Sequence, residues 1–130
     1  MNTSDIVEIQ QLMALYGHAF DSPDRSLLTL LFTDDAVFDV TQQAGGSPAD
    51  GIDAIRAHLD RWQPFQPSTH NTTNIWVHEK DGETRVWSKW ILYIPSDKSV
   101  RLGEYNDLVV RTPAGWRIKH RLVMQTVPKL

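Results

Sequence analysis

The sequence predicts an α+β fold, and three observations predict it. Apolar residues recur at helical spacing through the first half of the chain. The second half consists of long runs rich in β-branched and aromatic residues. Only short turns separate those runs, which makes the strands an antiparallel meander with the helices packed on one face of a curved sheet.

A chain of 130 residues, 41% apolar and 22% charged, has ordinary globular composition and suffices for one domain spanning residues 1–130 with a real core. No repeat, linker or low-complexity segment divides it. From Ile6 onward, Ile9, Leu12, Met13, Tyr16 and Phe20 form one helical stripe, with Asp5 and Glu8 placed to complement the helix dipole. The helix must stop near Asp21, because Ser22 precedes Pro23 and is driven to extended geometry. Ser22 then caps a second helix with Pro23 at its first position, running through Leu27, Leu28, Leu30 and Leu31.

A short strand is expected at Ala36–Val40, followed by a Gly45-Gly46 loop. A third helix starts near Ile52 and carries Ile55, Leu59 and Trp62 on one stripe, after which Pro64 and Pro67 bracket an irregular crossing. Long strands follow at about Thr69–Glu79, Glu83–Ile94, Val100–Arg111 and Trp116–Thr126. Turn residues separate them at Lys80-Asp81-Gly82, Pro95-Ser96-Asp97-Lys98 and Thr112-Pro113-Ala114-Gly115.

Composition removes several functional classes. A net charge of −3 without a basic run argues against nucleic acid. The absence of cysteine excludes disulfides, a thiolate nucleophile and thiolate metal sites. His18, His58, His70, His78 and His120 show no ligand spacing, so no metal is expected. Neither a glycine-rich phosphate loop nor a nucleophile elbow is present, and no cofactor is expected. No run approaches the ~18–20 apolar residues of a membrane span, and the N-terminal residues lack a secretory pattern. The expectation is a cytoplasmic protein with no membrane partner.

One strand carries the chemistry. His70, Thr72 and Asn74 alternate along one face of the run from Thr69, with Trp76 following, while Asn71, Thr73, Ile75 and Val77 occupy the other. Neither face is purely apolar. The pattern alone fits a half-exposed sheet first, and as a sharper alternative a wall of a pocket studded with polar groups.

Words of the sequence, in order, carry a family resemblance. They are Tyr16-Gly17-His18-Ala19-Phe20-Asp21, Leu31-Phe32-Thr33-Asp34-Asp35-Ala36-Val37-Phe38, Gly51-Ile52-Asp53-Ala54-Ile55, His70-Asn71-Thr72-Thr73-Asn74, Gly103-Glu104-Tyr105-Asn106-Asp107 and Gly115-Trp116-Arg117-Ile118. Together they cover nearly the whole chain, which resembles the SnoaL-like branch of the NTF2-like superfamily. The resemblance implies a cone with three N-terminal helices packed on a curved, mostly antiparallel sheet around one pocket. Polyketide cyclases, scytalone dehydratase and the hexachlorocyclohexane dehydrochlorinase share that architecture.

In the dehydratase and dehydrochlorinase, an aspartate closing the first helix holds a histidine of the strand after the third. The matching residues are Asp21 and His70, which the resemblance therefore implies as a catalytic dyad. Arg121 matches a dehydrochlorinase arginine. That enzyme has lysine where this chain has Tyr16, and scytalone dehydratase has tyrosine where it has Phe20. Read singly, Asp21 also fits a cap of the second helix, and His70 a tie between strand end and loop.

The expected function is a cofactor-independent lyase or isomerase, dehydratase- or cyclase-like, acting on a small, largely apolar molecule bearing a carbonyl or hydroxyl. An imidazole is a suitable base, and a carboxylate on one ring nitrogen frees the other. Tyr16, Phe20, Asn74, Trp76, Trp90, Tyr105 and Arg121 are the expected substrate-binding residues. The departures at Tyr16 and Phe20 keep a second reading open, a non-catalytic binding or assembly module with an inherited pocket. The small subunit of an aromatic-ring dioxygenase is a third. Self-association as a homodimer or homotrimer is expected from the sheet face this fold leaves open, with Trp87 and Ile91 contributing.

Overall fold

A computed structural model describes residues 1–62 and 69–126. Helix α1 runs from Thr3 to Asp21. Its start is set by a capping box: Asn2 Oδ1 accepts the Asp5 N–H at 2.9 Å, and the Asp5 carboxylate accepts the Asn2 N–H at 2.8 Å. Asp5 also accepts from the Trp116 indole and from Arg111, which ties the helix to the last two strands. Those hydrogen bonds, the Asn2 backbone first, hold its carboxyl below the usual carboxylate range.

The expected second helix is mostly absent. Ser22 is instead the C-cap of α1, and its hydroxyl accepts the Asp24 N–H at 3.0 Å. Asp24 in turn captures the Ser26 N–H and hydroxyl, opening a 3-10 turn at Arg25–Leu27 that leads into the four-residue helix α2, Leu28–Leu31. Short polar side chains thus bind backbone groups that a helix from Pro23 would need.

Strand β1 (Phe32–Asp39) begins earlier than its apolar core suggests. A four-residue helix, α3 (Thr41–Ala44), and a short strand, β2 (Ala49–Asp50), precede helix α4 (Ile52–Trp62). The crossing expected around Pro64 and Pro67 lies outside the described residues. The meander follows as β3 (Thr69–Lys80), β4 (Glu83–Ile94), β5 (Ser99–Thr112) and β6 (Gly115–Thr126). The sheet order is β2-β1-β6-β5-β4-β3, antiparallel except where β1 runs parallel beside β6.

The core lies between α1, α4 and the inner face of this sheet. Ile9, Met13 and Ile55 from the helices meet Val86, Val109 and Ile118 from the strands, all essentially without exposure. Each such side chain contributes roughly 1.5–3 kcal/mol by leaving water. No described helix is long and apolar enough to cross a membrane.

Two irregularities decide where the functional side chains point. Gly17 on α1 lets the helix close on β3: a Cβ there would lie 2.6 Å from the carbonyl oxygen of His70. Along β3, a bulge interrupts pairing with β4 between Thr73 and Trp76, and Asn74 takes φ 54°. One extra residue reverses the alternation, so His70 and Thr72 face inward before it and Ile75 and Val77 after it.

Candidate active site

The concave side of the sheet and helices α1 and α4 enclose a cavity of about 750 Å³, within the range of small-molecule sites. Its deep walls are rings. Phe20 and Tyr16 from α1 stack with centroids 4.0 Å apart, Phe38 lies 5.5 Å from Phe20, and Trp90 stacks on Tyr105 at 6.1 Å. Trp90 lies flat because Gly103 beneath it has no side chain; a Cβ there would fall 2.3 Å from the indole ring. The indole N–H reaches across to the carbonyls of Glu104 and Met124, at 3.3 and 3.1 Å.

His70 lines this cavity from the start of β3. Its Nδ1 is 2.6 Å from Asp21 Oδ1, and its backbone N–H donates to both carboxylate oxygens at 3.2 and 3.0 Å. The carboxylate therefore fixes both the ring and the strand that carries it. The His70 side chain is 16% exposed and that of Asp21 28%, so the pair stands at the cavity's edge. With a carboxylate on Nδ1–H, the Nε2 lone pair is free to take a proton, and the resulting imidazolium is stabilised.

Tyr16, Phe20, Trp90 and Tyr105 also line the cavity. Burial pushes the Tyr16 phenol well above its usual pKa and that of Tyr105 up to about 12, Arg121 opposing both shifts. Both phenols stay protonated at neutral pH; the Tyr16 hydroxyl bonds that of Tyr105, whose own proton can be donated to a substrate oxygen.

Three of the expected binding residues lie elsewhere. Asn74 occupies the bulge, exposed, its Oδ1 accepting the Thr73 hydroxyl at 2.7 Å. Trp76 falls on the outer face by the reversed alternation, 56% exposed and stacked on His78 at 4.1 Å. Arg121 is wholly buried behind the wall, held by Asp107 through two contacts of 2.7 Å. Its guanidinium is sandwiched between the Tyr16 and Tyr105 rings, 4.0 and 3.9 Å from their centroids. Burial disfavours its charge, yet Asp107 outweighs burial and holds its pKa above the ordinary arginine value.

Other lining residues escaped the sequence reading. His58 lies at the α4 wall, its ring 5.4 Å from that of Phe38, and its i+4 neighbour Trp62 also lines the cavity. The stripe through Ile55, Leu59 and Trp62 is the signal that would have found it. Burial, aided by Arg61, lowers the His58 pKa. Arg101 lines the cavity two alternations before Tyr105 on β5. Among the described residues, no group of three or more histidine or carboxylate side chains stands together to hold a metal ion.

A cone of helices and curved sheet around one ring-lined cavity defines an NTF2-like domain. The chain belongs to the SnoaL-like domain family, whose sequence pattern matches residues 1–122. Among solved structures it is similar to a proposed aromatic ring hydroxylase of Novosphingobium aromaticivorans, at 27% identity and TM-score 0.80, covering 98% of this chain and 93% of that one. An NTF2-like protein with a cystatin-like fold from the same organism is 25% identical at TM-score 0.81, covering 97% and 84%. A proposed scytalone dehydratase of that organism is 22% identical at TM-score 0.79, covering 95% and 85%, a likeness of fold. No curated protein matches the chain.

Proposed function

We propose that this chain is a lyase or isomerase that needs no cofactor and begins its reaction by removing a proton from carbon. The observation that carries the reading is the 2.6 Å contact between His70 Nδ1 and Asp21 on the wall of a half-open cavity. His70 Nε2 takes the proton, Asp21 steadies the imidazolium, and the Tyr105 hydroxyl, itself accepting from Tyr16, donates to the oxygen that gains charge. Loss of water, migration of a double bond and ring closure share this first step. The ring-lined walls support an aromatic or alicyclic substrate, and the likeness to a protein named for aromatic-ring chemistry agrees with that choice.

The test is exchange of deuterium from solvent into the α-position of a bicyclic aromatic ketone. The wild-type protein accelerates exchange, and His70→Ala loses the acceleration. Exchange at the wild-type rate in His70→Ala would sink the mechanism.

A binding module is the second reading, supported by one observation: neither Asn74 nor Arg121 reaches the cavity. Ligands that bind tightly with no exchange and no turnover would favour it. Self-association belongs to the same proposal. Trp76, Trp87 and Ile91 stand on the outer face of β3 and β4 at 56%, 43% and 39% exposure. A second copy covering this face would remove them from water. Sedimentation equilibrium tests it: Trp87→Glu shifts an oligomer towards monomer, and a wild-type monomer refutes it.

A further inference from the structure

Two arginines stand apart from the rest. Arg25, Arg56, Arg85, Arg111 and Arg121 each hold a carboxylate, and Arg117 holds the Thr29 carbonyl. Among the described residues, Arg61 and Arg101 make no hydrogen bond or ion pair, and of the two Arg101 is at the cavity. Arg101 lines it directly, and Arg61 stands close enough to His58 to depress its protonation. A guanidinium that makes no hydrogen bond in the wall of a ring-lined cavity can receive an anion.

The sheet register gives this receptor a position relative to the proposed base. His70 pairs with Leu92, and Leu92 pairs with Arg101, so the three side chains form one row across β3, β4 and β5. All three line the cavity. Two strand spacings separate the outer Cα atoms by roughly 10 Å, so a molecule one or two rings long bridges imidazole and guanidinium. The charges at the two ends are opposite: the Asp21 carboxylate behind His70 repels an anion that Arg101 attracts. The cavity is polar in the electrical sense, and it orients an anionic substrate with its anion away from the dyad.

The neighbour of Arg101 defines which anion. Asp97, exposed at the cavity's mouth, accepts the Ser99 N–H at 2.9 Å in the β4–β5 turn and lies within electrostatic reach of Arg101. Its hydrogen bonds to Ser99 hold the carboxyl below its usual range, so it is ionised at neutral pH. One guanidinium beside one carboxylate suits a singly charged, planar anion better than a phosphate dianion.

We propose that the substrate of this site is a carboxylate, an aromatic or alicyclic acid whose carboxylate group sits on Arg101 while its ring body lies against Trp90 and Phe20. The proposal rests on the acid–base reading for which atom reacts, and its test is independent of turnover. Calorimetry with naphthoate and the neutral isostere naphthamide reads the charge preference directly. Wild-type protein binds naphthoate about tenfold tighter than naphthamide, as a partly solvated charge-assisted contact gives. Arg101→Gln removes the preference, Arg101→Lys keeps part of it, and Asp97→Asn widens it, with circular dichroism verifying the fold of each. Equal binding of the two probes, a preference that survives Arg101→Gln, no measurable binding of naphthoate, or tighter binding of naphthyl phosphate overturns the proposal. Loss of exchange in His70→Ala speaks only to the acid–base reading, so the two fail separately.

Discussion

The carbonyl oxygen of His70 lies 2.6 Å from the place where a Cβ on Gly17 would sit. Helix α1 and strand β3 are therefore closer at this level than any side chain on residue 17 allows, and that closeness brings Asp21, one turn further along, onto His70. Gly17→Ala isolates the effect. In a free helix the substitution stabilises by about 1 kcal/mol. Here the clash with backbone outweighs it, and a net loss of about 1–3 kcal/mol in urea unfolding is expected. Proton exchange into a bound ketone falls further than the stability loss accounts for, because the dyad is pried apart. A stabilised protein would show that the helix moves freely over the strand.

Asp21→Asn tests the carboxylate itself. The variant keeps the size of the side chain and an oxygen for the His70 N–H, but its amide no longer compels the Nδ1–H tautomer. A general base is worth about 10²–10⁴ in rate, and the variant is expected to lose most of that. Its melting temperature stays close to wild type, since the backbone tie persists. Nitrogen NMR of the His70 ring checks the tautomer: Nδ1–H in the wild type, a mixture in the variant.

Much of this architecture could be read from the chain because local chemistry dictated it. The stripe from Ile9 to Phe20 is one face of α1, and the turns at Lys80-Asp81-Gly82 and Thr112-Pro113-Ala114-Gly115 join the long strands as their residues require. What failed was set by single residues acting at a distance. The bulge in β3 inserts one residue at Asn74 and reverses which side chains face inward, so Trp76 points outward although it continues the alternation of His70 and Thr72. An asparagine, tolerant of positive φ, is the only local trace of that event. Burial of Arg121 was equally hidden, because its partner Asp107 belongs to another strand and a lone arginine in a strand reads as exposed. The contact between Asp21 and His70 spans 49 positions, and only the family resemblance gave notice of it.

The Arg121–Asp107 pair gives a sign test for buried charge. Both side chains are fully buried, and Arg121 Nη1 has no partner among the described residues. Arg121→Met leaves Asp107 charged and alone in the core, a loss of about 3–5 kcal/mol. Replacing both, as in Arg121→Met with Asp107→Leu, removes the charges together, so the double variant is more stable than the single one. It also frees the Tyr16 and Tyr105 rings from the cation between them. Chemical unfolding of the singles and the double closes the cycle; additive losses would mean that the two residues do not act as a pair.

His58 makes stability depend on pH in a defined direction. Burial against the α4 wall, with Arg61 adding to it, lowers its pKa in the folded protein. The unfolded chain takes up this proton near pH ~6.5, the folded protein only at lower pH. Between those two points the unfolded state binds more protons, so stability rises with pH there. The contribution is complete above pH ~6.5, falls as the solution is acidified, and levels off below the folded pKa. One proton limits the slope to about 1.4 kcal/mol per pH unit. His58→Gln removes this dependence while the acid loss from Asp5 and Asp39, whose carboxyls titrate lower still, remains below pH ~4. Urea unfolding of both proteins from pH 7.5 to 4.5 (~0.5 steps) gives curves that converge or separate with His58 protonation alone. Parallel curves across that range would mean that the ring is as well solvated in the folded protein as in the unfolded chain.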